Sequence, residues 1–138
     1  MKIAVYPGSF NPWHKGHEDV LNKALKVFDQ VIIAVGINPE KDSYASGSER
    51  VPDYIVKDRR VAVNCFKGLL VDYVTAMGDS YFCAVIRGLR NGQDLEYEKT
   101  QQYWNEDLGI KIPTLYVVTD RQLVHISSSA IRAVEKFK

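Results

Sequence analysis

Apolar residues run along this chain in two alternating rhythms. Residues 2–6 form a short apolar run closed by Pro7-Gly8, which predicts a buried strand and a turn. In the next stretch Val20, Leu21, Ala24, Leu25 and Phe28 recur at helical spacing, with Glu18, Asp19, Asn22, Lys23 and Lys26 on the opposite face. Residues 30–37 (QVIIAVGI) are almost wholly apolar and β-branched, the pattern of a strand covered on both faces. A long surface loop is expected over 38–48, and a helix opening at Ser48-Glu49 with Pro52 in its first turn. Further strands are predicted over 61–66, 81–86 and 112–118. Between them Leu69, Leu70, Tyr73, Val74 and Met77 mark a helix ended by Gly78, and 94–108 reads as a polar helix with Asp94 as its N-cap. Residues 127–137 close the chain as a helix with Ala130, Ile131, Val134 and Phe137 on one face.

The resulting order is βαβαβαβαβα. Strands alternating with helices predict an α/β fold: a doubly wound, five-stranded parallel sheet with helices on both faces, formed by residues 1–138 as a single domain. In such sheets the ligand sits beyond the carboxyl ends of the strands, near the switch in strand order. That geometry would gather four segments: residues 8–17, 38–42, 87–90 and 119–129.

Composition narrows the function. The 138 residues carry 18 Lys and Arg against 17 Asp and Glu, a formal charge of +1, with 46% hydrophobic and 25% charged residues. This is ordinary for a folded domain and argues against a broad electrostatic footprint for nucleic acid. The tyrosines and phenylalanines read as core and helix-face residues rather than as stacking platforms. No apolar run reaches a membrane span and no signal peptide opens the chain, so a cytoplasmic, non-membrane protein is expected. Cys65 and Cys83 each lie in an apolar run and read as reduced core thiols.

The four segments are rich in anion-binding groups. PGSFNPWHKGH leads into a helix N-terminus, where backbone N–H groups and the helix dipole favour an anion. His14 and His17 could donate to phosphate oxygens there, or simply cap the helix. Two histidines also suit a metal, but no third ligand stands near, so no protein metal ligand is named. Lys41 follows the second strand. Arg87-Gly88-Leu89-Arg90 follows the fourth, where two guanidinium groups call for an anion. Asp94, Glu96 and Glu98 could pair with those arginines or hold ribose hydroxyls. Ser127-Ser128-Ser129 opens the last helix with Arg132 one turn in, a second phosphate cradle. Together these predict a locally cationic cleft for a nucleotide. Neither the P-loop pattern nor the dinucleotide-binding glycine pattern occurs.

HKGH resembles the (H/T)-x-G-H motif of the nucleotidylyltransferase superfamily, and ISSSAIR its last motif. IRGLR followed by DLEYE, with NPEK and GLLVDY, resembles more specifically the bacterial-type phosphopantetheine adenylyltransferases. The resemblance implies transfer of the adenylyl group of ATP to 4′-phosphopantetheine, giving dephospho-coenzyme A and pyrophosphate. It implies catalytic roles for His17, Ser9, Lys41 and Arg90. ATP would be held by Gly8, Ser9, Phe10, His14, His17, Gly88, Arg90, Glu98, Ser127, Ser128 and Ser129, and the acceptor by Ser9, Lys41, Leu70 and Arg87. It also implies Mg²⁺ carried mainly by the ATP phosphates and a homo-oligomer, hexameric in the family. The chain departs from the family pattern at Asn11, usually Asp, and at His14, usually Thr. It differs again after Lys41, in its shorter segment before Arg60, and in stopping soon after Arg132. His14 is shared with relatives that use nicotinamide mononucleotide or cytidine nucleotides. The alternatives are therefore a sister enzyme with such an acceptor, or a nucleotide-binding module with impaired catalysis.

Overall fold

The computed structural model describes residues 1–40 and 44–137. Strand β1 (Ile3–Gly8) is followed by α1 (Lys15–Ala24), β2 (Gln30–Ile37), the short helices α2 (Tyr44–Ser48) and α3 (Asp53–Val56), and β3 (Val61–Lys67). Then come α4 (Leu70–Met77), β4 (Ala84–Leu89), α5 (Gly92–Asp107), β5 (Thr114–Val118), a 3₁₀ turn (Arg121–Leu123) and α6 (Ser128–Glu135). The five strands form one sheet in the order β3-β2-β1-β4-β5, all parallel. This is the predicted doubly wound class.

The order reverses between β1 and β4, and the register there explains the cleft. β1 pairs β2 from Ile3–Gln30 to Gly8–Val35, but pairs β4 only at Ala4–Ala84 and Val5–Val85. Pro7 has no N–H to give to a ladder. Instead the Arg87 guanidinium donates to the Pro7 carbonyl at 2.7 Å, so a side chain takes the place of a strand hydrogen bond. The carboxyl ends of β1 and β4 are thus joined by side chains and open to a ligand, where a switch point should be.

Alternate strand residues serve opposite layers. Ala4, Tyr6, Ile33 and Ile86 pack with Val20, Leu21 and Ala24 of α1, whereas Val5, Ile32, Ala34 and Val85 pack with Val71 and Val74 of α4. One contact sets the distance between α1 and the sheet: a Cβ on Gly88 would lie 2.8 Å from Cγ2 of Val20. Gly88→Ala should therefore push α1 outward and destabilise the fold by about 1–3 kcal/mol. Urea denaturation of Gly88→Ala and of Val20→Ala/Gly88→Ala checks this, the second change being expected to restore part of the loss.

Several sequence expectations are corrected. Pro7 and Gly8 end β1 rather than forming a turn beyond it. No helix opens at Ser48; α2 ends there, and Pro52 is the N-cap of α3 with no side-chain bond. Asn91, not Asp94, caps α5, accepting from the Asp94 amide, because its short amide reaches the third helical N–H. β4 runs on to Leu89 and so includes Arg87 and Gly88. Cys83 is exposed rather than a core thiol, and Cys65 is half-buried. The apolar face of α6 is not covered, Val134 being 58% and Phe137 91% exposed.

Candidate active site

Two cavities open at the carboxyl ends of β1 and β4. The first, about 320 Å³, is bounded by the β1–α1 loop, the end of β4, α5 and the start of α6. The second, about 310 Å³, lies toward β3 and α4. They share Pro7, Gly8, Arg87, Tyr97 and Glu98 as a common wall.

The β1–α1 loop is held by its own side chains. His14 caps α1, its Nδ1 accepting from Gly16 N at 3.0 Å, while Nδ1 of His17 accepts from His14 N at 3.1 Å. The rings stack with centroids 3.7 Å apart. Because each Nδ1 accepts, each neutral ring carries its proton on Nε2 and offers an N–H donor. Burial, then the His14 and Arg87 charges, depress the His17 pKa to about 3; burial and Arg90 also lower that of His14. Both rings are neutral at pH 7. Gly16 is glycine because a Cβ there would meet the His14 ring at 2.9 Å, and Gly8 because a Cβ would meet Phe10 at 2.9 Å. Phe10 adopts φ of +48°, a left-handed backbone that a bulky residue rarely takes. It is held there by burial (2% exposed) among Tyr6, Trp13 and His17, with centroids 5.1, 5.3 and 4.9 Å away.

The arginines are paired, not free. Arg87 makes a forked contact to Glu98, Nε–Oε2 at 3.0 Å and Nη2–Oε1 at 2.7 Å, and Glu98 is 7% exposed. Arg90 bonds both Asp94 oxygens at 3.0 and 3.2 Å, and its amide also donates to Asp94 at 2.9 Å. The expected cationic cleft is therefore corrected: among the described residues it presents neutral imidazoles and carboxylate-paired guanidinium groups. An incoming anion meets N–H donors and competes with carboxylates.

The last segment is equally committed. Ser127 caps α6, accepting from Ala130 N at 3.1 Å; Ser128 donates to the Pro12 carbonyl at 2.9 Å; Ser129 accepts from Arg132, which also donates to the Asn11 carbonyl. Ser127 and Ser128 reach the first cavity, whereas Ser129 is not on its wall. At the other end of this segment Lys23 gathers Asp19 (3.0 Å), Asp120 (2.8 Å) and the Val118 carbonyl (2.8 Å), tying α1 to the end of β5. Lys23→Met should loosen this tie and destabilise the fold by about 0.5–1.5 kcal/mol, as urea denaturation would show.

Of the predicted residues, the structure brings Gly8, Ser9, Phe10, His14, His17, Gly88, Arg90, Glu98, Ser127 and Ser128 onto the first cavity. Leu70 lies on the second and Arg87 on both. Lys41 lies outside the described residues. Gly88 reaches the cavity, but its missing Cβ is required by Val20. Sequence reasoning missed Tyr6 on the first cavity, Tyr97 on the shared wall, and Gln101 and Asn105 on the second, and it reached Thr119 on the first cavity only as part of the segment 119–129. Gln101 and Asn105 had a signal, lying one and two turns beyond Glu98 on the same helix. Tyr6 looks like any strand residue.

The cytidylyltransferase-like family matches residues 5–134. A phosphopantetheine adenylyltransferase from Cytophaga hutchinsonii is 40% identical, the match covering 99% of this chain and 91% of that one. Another, from Syntrophomonas wolfei, is 43% identical over 96% of this chain and 82% of its own length. Among solved structures, a Vibrio parahaemolyticus protein described as a nicotinate-nucleotide adenylyltransferase superposes with a TM-score of 0.69 at 19% identity, over 100% of this chain and 83% of that chain, a likeness of fold. With the switch-point cleft, the imidazole pair and the serine turn in place, the chain belongs to the cytidylyltransferase-like family and, within it, to the phosphopantetheine adenylyltransferases.

Proposed function

We propose that this protein transfers the adenylyl group of ATP to 4′-phosphopantetheine, releasing dephospho-coenzyme A and pyrophosphate. The observation that carries the reading, beside the relatives, is the pair of cavities meeting at Arg87 and Glu98. One is lined by phosphate donors. The other combines apolar Phe66, Leu69 and Leu70 with amide side chains at Gln101 and Asn105, the lining a chain of methylenes and amides requires.

The acceptor phosphate is already an anion, so no protein base or nucleophile is needed. One of its oxygens attacks the α-phosphorus in line, the bond from that phosphorus to the α–β bridging oxygen breaks, and pyrophosphate leaves. The protein aligns the two phosphates and offsets charge. Nε2–H of His17, with Ser9, faces the α-phosphate; Arg87 and Lys41 hold the acceptor phosphate; Arg90 and the turn at Ser127 and Ser128 hold the β- and γ-phosphates. Mg²⁺ neutralises the triphosphate when bound. Among the described residues no group of three or more His, Cys, Asp or Glu gathers, so they offer no cage of their own, and the ion would enter with the nucleotide.

The reading places the 138 residues as one catalytic domain working in the cytoplasm, without nucleic acid or membrane; among the described residues no helix is long and apolar enough to cross a bilayer. Tyr103 and Trp104 on α5 and Val118 on β5, 57%, 61% and 65% exposed, support a homo-oligomer. Incubation with ATP, Mg²⁺ and 4′-phosphopantetheine, followed by chromatography, should give dephospho-coenzyme A and pyrophosphate in equal amounts. Absence of product at saturating substrates refutes the reading.

A further inference from the structure

Tyr6 stands on β1, two residues before the strand ends at the cleft. It is 4% exposed, its ring lies edge-on to Phe10 at 5.1 Å and to His17 at 6.5 Å, and it forms part of the wall of the first cavity. Nine-tenths-buried hydroxyls ordinarily have a partner, because desolvating an O–H without one is costly. The Tyr6 hydroxyl has none among the described residues. It is not sealed in the core either. Of the side-chain polar atoms wholly cut off from solvent and left unpartnered among those residues, the one found is Nε1 of Trp13, so the Tyr6 oxygen retains access to the cavity it borders.

Its surroundings define what it can meet. The polar side chains around it on this wall are the imidazole of His17, which offers an N–H, the Arg87 guanidinium and the Glu98 carboxylate that Arg87 holds. Both Glu98 oxygens accept from Arg87, and among the described residues neither accepts from the Tyr6 hydroxyl. Burial, with Glu98 nearby, also holds the phenol well above its ordinary pKa, so it stays an O–H donor at any working pH. A buried neutral donor, unpartnered among the described residues and on the same cavity wall as an imidazole donor and a guanidinium, is placed to meet an anionic oxygen.

We infer that Tyr6 is a nucleotide-binding residue whose hydroxyl donates to a phosphate oxygen of bound ATP, at the junction between His17 and Arg87. This rests on the nucleotidyl-transfer reading above and adds to it a donor on the strand itself. Strand placement fixes the phenol more rigidly than the loop donors, which suits a group that sets the position of the reacting phosphate.

Tyr6→Phe removes the hydroxyl and keeps the ring packing. Calorimetric titration with Mg²⁺-ATP should show affinity about tenfold weaker than in the unaltered protein. The thermal midpoint without nucleotide should not fall, since no protein hydrogen bond is lost, while the ATP-induced rise in midpoint should shrink. ATP affinity within twofold of the unaltered protein overturns the assignment, as does a lowered midpoint without nucleotide accompanied by an unchanged ATP-induced rise, which would mark a purely structural hydroxyl. If the unaltered protein binds ATP but makes no dephospho-coenzyme A, and Tyr6→Phe still weakens ATP tenfold, the choice of acceptor fails and Tyr6 stands. If turnover is found and Tyr6→Phe binds ATP normally, the reverse holds.

Discussion

His17→Ala is expected to lower kcat by about 10²–10³, with both KM values changing by less than about threefold. On the proposed mechanism the loss follows from removing one preorganised N–H donor aimed at charge that develops on the α-phosphate, worth roughly 3–4 kcal/mol of barrier. Steady-state pyrophosphate release measures it. The imidazole is already neutral at pH 7, since burial holds its pKa near 3, so kcat should show no acid limb from this residue between pH 5 and 8. Stability should respond instead. A histidine whose folded pKa is depressed from its ordinary 6.5 to about 3 contributes stability that is complete above pH 6.5 and lost as pH falls toward 3. The sum over that window is roughly 3–5 kcal/mol. His17→Ala should flatten the fall in thermal midpoint between pH 6.5 and 4. At pH 7 it should lose about 1–3 kcal/mol, for the capping bond from His14 N and the ring packing against Phe10, Trp13 and His14.

Arg87→Ala is expected to be the most destabilising change in the site, by about 3–5 kcal/mol, against the roughly 5–15 kcal/mol that holds an ordinary domain folded. The reason lies in Glu98, 7% exposed, which takes both its hydrogen bonds from that guanidinium and would be left a buried, unpaired carboxylate. The Pro7 carbonyl would lose its donor as well. Arg87→Lys should recover part of the loss, because an ammonium restores the charge but not the two parallel bonds. Arg87→Met/Glu98→Leu should be less destabilised than Arg87→Ala, since no charge is stranded. Urea denaturation of the three variants at pH 7 gives the comparison. If Arg87 holds the acceptor phosphate as proposed, Arg87→Ala should also abolish its binding, so activity and stability fall together here, whereas in His17→Ala activity falls far more than stability.

The fold was legible because alternation carried it. The runs at 30–37 and 61–66 and the helical spacing of Val20, Leu21 and Ala24 each answer to burial against a sheet, and burial repeats locally. Boundaries were less legible. β4 runs on to Leu89 because pairing with β5 extends through Gly88–Val117 and Leu89–Val118, a fact of the neighbouring strand rather than of the local residues. The site's residue types were legible from HKGH, RGLR and SSS. Their charge states were not. Neutral His17 depends on burial, and the pairing of Arg87 with Glu98 spans eleven residues from strand to helix. Phe10 illustrates the same limit: its left-handed backbone is imposed by an aromatic cluster assembled from β1, the loop and α1. Tyr6 carried no motif, and only the cavity wall distinguishes it from Ala4. The exposed apolar face of α6 and Cys83 mark the converse error, in which apolar spacing was taken for burial.

The central claim is that ATP and 4′-phosphopantetheine are the pair these two cavities hold. The most direct measurement is kcat/KM for pyrophosphate release across a panel of acceptors, 4′-phosphopantetheine and nicotinamide mononucleotide among them, each with ATP and with CTP in the presence of Mg²⁺. The account predicts that ATP with 4′-phosphopantetheine exceeds every other pair by at least a hundredfold, about 3 kcal/mol of discrimination, since the apolar and amide lining of the second cavity would be left unfilled by other acceptors. A higher kcat/KM with nicotinamide mononucleotide or with CTP, or turnover with no pair at all, would contradict it.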